Sequence, residues 1–544
     1  MSAKTKSTSV IDLDAFNSAR ARLQALVDDN PTQAIADARK LPSDKPIRRL
    51  DYTGLKACIL VDAGSQAKNR AAIEEGIALF KKLLAKSPGD ASYHYNLGNG
   101  LTALADLESF ADSQWYLKTA ETRRRARSHF QKAISSDQHP AVLSTSFTNL
   151  GNALFKAHRW VEAYDAYHCA LDHDNSNAVA ATGAARVLLR CVERGIGDRH
   201  ILQAVAARHL KTANLHPQRL AALAGIRAEK QLAHLMQTRL PTCKPPDLRN
   251  ASDYQKFVAR HRLALSPTIE GLDCSLKRWD SLRLKSVTEE IGKGFGVPPL
   301  FAMLNVMKSD FLAARFLAYE ALSTAFPESG LYADTLDYAV YGMVPSFLAL
   351  AQRACIDLLD KIAAATTEYF RIPGNVKVVY FWSRWFEDTK SGHPLAWHPS
   401  LRPHIDKSNT ALIALAEISL DMGEEGFLLR KKAFRHASTH RFTVLHDIGC
   451  HPSRQSSQIE HSGLTEFKAQ LIESLQLARA ALIYFVEMVS IAENARAATS
   501  ENRASITVPN HHYIRGESPH RLLGSRRRSR PAASEETSHA LDVS

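Results

Sequence analysis

The chain has 544 residues, 45% hydrophobic and 23% charged, with 69 Lys and Arg against 56 Asp and Glu for a net charge of +13. That length exceeds what one core holds, and the balance excludes both a disordered chain and a multi-span membrane protein. The basic excess fits a polyanionic partner without identifying one.

The opening, MSAKTKSTSVIDLDAF, lacks the apolar core of a signal peptide, which gives a cytoplasmic expectation. Cys58, Cys169, Cys191, Cys243, Cys274, Cys355 and Cys450 stand singly, with no C-x-x-C pair. That spacing suits a reducing compartment and argues against a disulfide framework or a structural zinc site.

An internal repeat comes next. Asn96-Leu97-Gly98-Asn99 recurs as Asn149-Leu150-Gly151-Asn152, each followed two residues later by Leu. After the second copy, Ala163, Tyr167 and Ala170 fall at helical spacing, and two earlier helices keep the same offsets at Gly76, Phe80, Leu83 and at Ala126, Phe130, Ala133. Small residues let helices approach closely, and Tyr167 is placed to fill the gap between neighbouring units. The region of about 50 to 190 resembles a degenerate tetratricopeptide array, with an insertion around Leu107 to Lys118. The resemblance implies a concave face that holds a protein or peptide partner. Residues 1–240 are read as this helical repeat domain.

Pro241 to Tyr254, with three prolines, marks a break, and 241–299 reads as a connecting segment. From Leu300 helical periodicity returns, with Ser309 offered as an N-cap and Pro345 as a kink or helix start. VKVVYFWSRWF reads as a short strand or a helical turn. GHPLAWHPSLRPHID gathers His393, His398, His404 and Asp406; Trp397 within it is a candidate for stacking a base, and His404 for contacting substrate. The same loop also reads as simple packing. Glu417 follows on a helix whose exposed face would explain it. A last helix runs from about Thr465 to Arg496, ahead of a tail (506–544) that reads as disordered and basic, with Arg526, Arg527, Arg528 and Arg530.

The candidate chemistry lies in LLRKKAFRHASTHRFTVLHD, residues 428–447. Arg followed five positions on by His occurs at Arg124/His129, Arg435/His440, Arg441/His446 and Arg515/His520. The first falls in a repeat helix, the last in the tail, and Phe442, Val444 and Leu445 within the third look like core or strand residues. Arg435/His440 follows a helix and has a polar residue, His436, directly after the Arg. A guanidinium can hold a phosphate by two donors, and an imidazole can move a proton near neutral pH. On an ideal helix five residues turn about 500°, so Arg435 and His440 share no face, whereas His436 and His440 do. That second spacing also suits a metal, but no third ligand and no adjacent Glu base is evident.

Arg435-His436-Ala437-Ser438-Thr439-His440 resembles the motif of the HEPN superfamily (higher eukaryotes and prokaryotes nucleotide-binding), where Asn or Asp is commoner after the Arg. Together with DLLDKIA, holding Asp360 and Lys361, the region of about 250 to 505 resembles the large bacterial branch that carries tetratricopeptide repeats in front. The resemblance implies an all-α fold, a solenoid followed by a HEPN helical bundle over 300–505. It implies a metal-independent endoribonuclease without cofactor, acting as a homodimer on RNA, in a toxin or anti-phage defence effector. Arg435, His440, His436 and Asp360 would be catalytic, and Lys361, Arg441, Trp397 and His404 would bind substrate. The alternative is a non-catalytic scaffold that binds RNA or protein through an inactive HEPN domain.

Overall fold

The computed structural model describes residues 2–42, 49–108, 114–137, 139–237, 240–242, 248–270, 279–289, 296–324, 326, 330–374, 379–387, 395–429, 442–449 and 456–498. It is an all-α protein, a helical solenoid followed by a helical bundle, with one small sheet.

The solenoid contains α1 (Ser2–Asp29), α2 (Pro31–Arg39), α3 (Arg49–Gln66), α4 (Arg70–Leu84), α5 (Ala91–Ala105), α6 (Trp115–Lys118), α7 (Ala120–Ser136), α8 (Pro140–Lys156), α9 (Trp160–His173), α10 (Ala178–Glu193), α11 (Arg199–Asn214) and α12 (Pro217–Gln237). Polar caps start several of them: the side chains of Asn69, Asp90, Asn177 and Asp198 each accept from the backbone N–H three residues on. Helices pair as hairpins, α3 with α4, α5 with α7, α8 with α9 and α10 with α11, and each pair stacks on the next. The insertion forms α6, whose buried Trp115 donates its indole N–H to Ala105 O at 3.1 Å.

The predicted small residues sit where helices close on one another. A Cβ added at Gly98 would lie 2.6 Å from the Phe130 ring, and one at Gly151 would lie 2.8 Å from Tyr167. Tyr167 also abuts Gly183 of the following pair, and its hydroxyl donates to Asn152 Oδ1 at 2.7 Å. Asn149 of the second Asn-Leu-Gly-Asn donates to Asn99 Oδ1 of the first at 2.8 Å, so the repeated asparagines link successive first helices.

After α13 (Asp253–Arg260), opened by a Ser252/Gln255 capping box, the described residues between Arg262 and Pro298 form no helix or strand. The bundle holds α14 (Pro299–Ser323), α15 (Met343–Phe370), α16 (Arg402–Asp406), α17 (Thr410–Asp421) and α18 (Leu464–Ala497). Here α14 packs on α15, and α18 touches α14, α15 and α17. Ser309 is not an N-cap: α14 begins ten residues earlier, at Pro299, and the Ser309 hydroxyl donates back to Asn305 O at 2.9 Å inside the helix. Pro298-Pro299 supplies the start, since a proline in the first turn sacrifices no helical N–H. Pro345 falls in the first turn of α15. Of VKVVYFWSRWF, Phe381–Ser383 forms one 3-10 turn.

The sheet has β1 (Ala339–Val340), β2 (Phe442–His446) and β3 (Ile459–Gly463) in the order β1-β2-β3. The β1/β2 pair is antiparallel, and β2/β3 is parallel with Phe442 opposite Ile459 and His446 opposite Gly463. By length and composition α18 could cross a membrane, but 78% of its most apolar window is buried inside the protein, as in a core helix. One hydrophobic core runs unbroken from Ala57 in α3 to Ala492 in α18.

Replacing Gly183 by Ala places a methyl group 2.5 Å from a Tyr167 ring that is buried between two units. The expected cost is about 1–3 kcal/mol, seen as a lower thermal midpoint, and Tyr167→Leu in the same chain should restore part of it. An unchanged midpoint for Gly183→Ala would contradict this packing. A second expectation concerns acid. His129, which shares a 2.9 Å Nδ1–Nδ1 hydrogen bond with His94, is held down to about 3 by burial, with His94 and nearby lysines and Arg125 adding to it. The unfolded chain, with His near 6.5, therefore binds more protons between about pH 6.5 and 3, and this contribution is complete above 6.5 and lost as pH falls. Thermal midpoints measured from pH 7 to 4 should fall less steeply for His129→Asn than for the parent chain.

Candidate functional site

The segment carrying Arg435, His436, His440 and Arg441 lies outside the described residues, as does His393; what the structure gives is how that segment is held at both ends. Upstream, α17 ends at Asp421 and the chain turns back on it: Leu428 N–H donates to Asp421 O at 3.0 Å. Gly426 permits the turn, because a Cβ there would collide with the Asp421 carbonyl. Phe427 lies under the Arg159 guanidinium, 5.6 Å from ring centroid to Cζ. Downstream, β2 begins at Phe442, directly after Arg441.

The upstream anchor rests on a buried ion cluster. The sequence TALIALAEISLD is apolar around most of its circumference, so α17 is enclosed, and Glu417 and Asp421, four residues apart on one face, are enclosed with it. Glu417 is therefore not on an exposed face, as its helical position suggested; it is 0% exposed. Arg127 of α7 grips Asp421 with two donors, Nε to Oδ2 and Nη2 to Oδ1, both at 2.8 Å. Arg159 donates to the same carboxylate and to Glu162. Arg123 and Arg127 approach Glu417 at 2.7 and 3.0 Å, outside hydrogen-bond alignment, so these contacts are coulombic. Arg123 also lies over the Trp115 ring and donates to Tyr116 O at 2.7 Å. Three guanidiniums thus meet three carboxylates. Burial works against the charge on Arg159, yet Glu162 and Asp421 hold its pKa above the ordinary value. On α18, the Tyr484 hydroxyl accepts from Val161 N–H at 3.1 Å and its ring packs edge-on to Trp160.

The other sequence-chosen residues do not gather in one place. Asp360, half-buried on α15, accepts the Phe381 N–H at 2.8 Å and so fixes the 3-10 turn. Lys361 is exposed and paired with Asp310 of α14. Trp397 is corrected: at 4% exposure and stacked 5.0 Å from Phe386, its faces are covered, and it is a packing ring rather than a platform for a base. His398 Nδ1 accepts from Ser400 N–H at 3.2 Å, and Asp406 lies 3.9 Å from Arg402. His404 sits 4.3 Å from the Phe370 ring and lines a cavity of about 620 Å³ with Arg371, Arg496 and Thr288. Burial, then Arg496 and Lys407, push its pKa down.

One pair was missed. His446, 0% exposed on β2, points Nδ1 at Asp337 O (2.8 Å) and Nε2 at His461 Nδ1 (2.8 Å) on β3. A carbonyl only accepts, so Nδ1 of His446 carries the proton, Nε2 accepts from His461, and His461 Nε2 is left as a bare acceptor without a partner among the described residues. This two-imidazole chain is able to pass a proton. It lies toward the far end of the sheet from the Arg435–His440 segment, and parallel pairing of two histidines four and nineteen residues beyond Phe442 has no signature in sequence.

Residues 291–492 match the family model described as LA2681-like HEPN. The match spans α14 through most of α18 and includes Arg435 to His440. It supports membership of this span in the HEPN superfamily and, at the level of that family, a nuclease or RNA-related role; HEPN domains in general fit RNA binding and dimerisation. No curated protein matches the chain.

Asp421→Asn removes a charge that two buried guanidiniums share. The expected loss is about 3–5 kcal/mol, because Arg127 and Arg159 stay buried with less compensation. It should appear as a clear drop in the thermal midpoint and as early proteolysis between residues 421 and 442. A midpoint within experimental error of the parent would show that the cluster is not what holds the segment.

Proposed function

We propose that the protein is a metal-independent endoribonuclease whose catalytic pair is Arg435 and His440. The observation that carries the reading is the Arg-polar-x3-His spacing within the span that matches the HEPN model. Its support from the fold is that the segment is tethered at both ends, to the α17 ion cluster and to β2, the kind of backing that functional groups need.

In this mechanism the 2′-oxygen of a ribose attacks the adjacent phosphorus. A bond forms from that oxygen to phosphorus, the bond from phosphorus to the 5′-oxygen breaks, and a 2′,3′-cyclic phosphate and a free 5′-hydroxyl result. His440 removes the 2′-OH proton or delivers one to the leaving oxygen. Arg435 offsets the charge that builds on the phosphorane, a preorganised interaction worth a few kcal/mol. His436 adds a second proton carrier or donor. One oxygen of Asp360 is engaged by Phe381 N–H; the other is assigned to orienting the Arg or a His tautomer. Lys361, whose exposed ion pair is weak, Arg441, and His404 beside Arg371 and Arg496 bind RNA phosphates. Two copies of the bundle join their motifs in one cleft, and the repeat domain senses or binds a partner, as in a toxin or anti-phage effector. A non-catalytic scaffold is the second reading, favoured by His436 standing where Asn or Asp is commoner.

Purified protein in EDTA is expected to cut single-stranded RNA and to leave DNA of the same sequence intact. Arg435→Ala and His440→Ala should each reduce the rate by roughly 10²-fold or more. Equal cleavage by all three proteins ends the assignment, and RNA binding without cleavage under any condition selects the scaffold. Light scattering should give twice the chain mass.

A further inference from the structure

A cavity of about 920 Å³ opens on the face of the solenoid formed by the first helices of its pairs, α8 and α10, together with α12. Its volume is in the range of small-molecule sites. The floor is apolar and aromatic: Phe155, Trp160, Leu189, Ile196 and Leu235. Its rim is cationic. Lys156 is balanced by Asp106, and Arg190 by Glu193. Arg186 and Lys230 have no acidic partner among the described residues, and Arg194 donates to the neutral Thr410 hydroxyl at 2.8 Å, with Glu487 acting on it at longer range. The Arg186 guanidinium lies 5.6 Å from the Phe155 ring centroid, which steadies it while leaving its donors open.

The shape selects a compact ligand. The chain kinks inside α12 at Gly225 (φ 77°), a left-handed conformation that glycine adopts freely. Every α12 residue that lines the cavity follows the kink: Lys230, Gln231, His234 and Leu235, on one helical face. Opposite stand Arg186, Leu189, Arg190 and Glu193, one face of α10. The second half of α12 thus walls the groove at this end, where an extended peptide would need it to run on.

We propose that this cavity is a binding site for a nucleotide, with its base against the partly buried Phe155, Leu189 and Leu235 and its phosphates on Arg186, Lys230 and Arg194. The electrostatic surroundings agree. Burial and then Arg194 and Arg190 push the His158 imidazole down to about 3, and burial and then Arg190 lower Arg194, against the pull of Glu487. Planar guanidiniums match phosphate oxygens with paired donors. The proposal does not rest on Arg435 or His440, and it stands whether or not the bundle cuts RNA.

The test is calorimetry and thermal unfolding of the full chain with ATP, GTP, CTP and UTP, beside inorganic phosphate and an oligo-glutamate peptide. At least one nucleoside triphosphate should raise the midpoint and bind more tightly than phosphate. Arg186→Glu and Lys230→Glu, both exposed positions, should each weaken that binding by roughly tenfold or more with no change in the unliganded midpoint. Arg435→Ala with His440→Ala should leave it intact, which separates this site from the nuclease reading. The proposal is overturned if no nucleotide binds at millimolar concentration, if phosphate binds as tightly, if only the peptide binds, or if binding survives both charge reversals.

Discussion

Three guanidiniums held against three carboxylates in a buried cluster tie the two halves of this protein together. Arg123, Arg127 and Arg159 come from the solenoid, Glu417 and Asp421 from the bundle, and Glu162 closes the set. Removing such charges from water costs several kcal/mol per ion, and mutual attraction recovers this only with matched geometry. The two-donor Arg127–Asp421 contact supplies that match. A second knot repeats the logic: Asp165 of α9 takes Arg262 at 2.6 Å and Arg479 of α18 at 3.4 Å, and Arg479 also donates to Ala264 O. These contacts require a fixed docking of repeat array on bundle, which explains why apolar packing continues through the junction.

The same cluster accounts for where the Arg435–His440 segment begins. Asp421 binds two guanidiniums with its carboxylate while its backbone carbonyl accepts Leu428 N–H. One residue thus couples interface electrostatics to the entry of the segment, and the β2 ladder holds the exit. Arg194, on the wall of the solenoid cavity, reaches Thr410 in the first turn of α17, and Trp160 on its floor meets Tyr484 of α18. The cavity wall is thus joined to both α17 and α18.

Much of this was legible in the residues. The repeated Asn-Leu-Gly-Asn, the small residues and Tyr167 gave the hairpin stacking, because steric closeness demands particular side chains at particular offsets. Pro345 and the strand character of Phe442, Val444 and Leu445 were local signals and were met locally. Ser309 misled because an N-cap residue also bonds well inside a helix, and the stronger start lay at Pro298-Pro299. Glu417 and Trp397 misled for one reason: a charged or amphipathic side chain reads as exposed until its partner is known. The partners, Arg123 and Arg127 in one case and Phe386 in the other, come from distant or loop positions. The apolar surroundings of Glu417 and Asp421 did carry the information, since a helix enclosed on all sides must neutralise its acids. The His446–His461 contact depends on strand register alone, which no spacing rule supplies.

The solenoid is not an interchangeable attachment. An array spliced from elsewhere would leave two acids of α17 stranded in a dry interior unless it carried arginines at matching heights, so exchange of one half demands coordinated change in the other. Severed in the stretch between them, the halves would be expected to behave as obligate subunits, each sticky and poorly soluble alone and competent only when produced together.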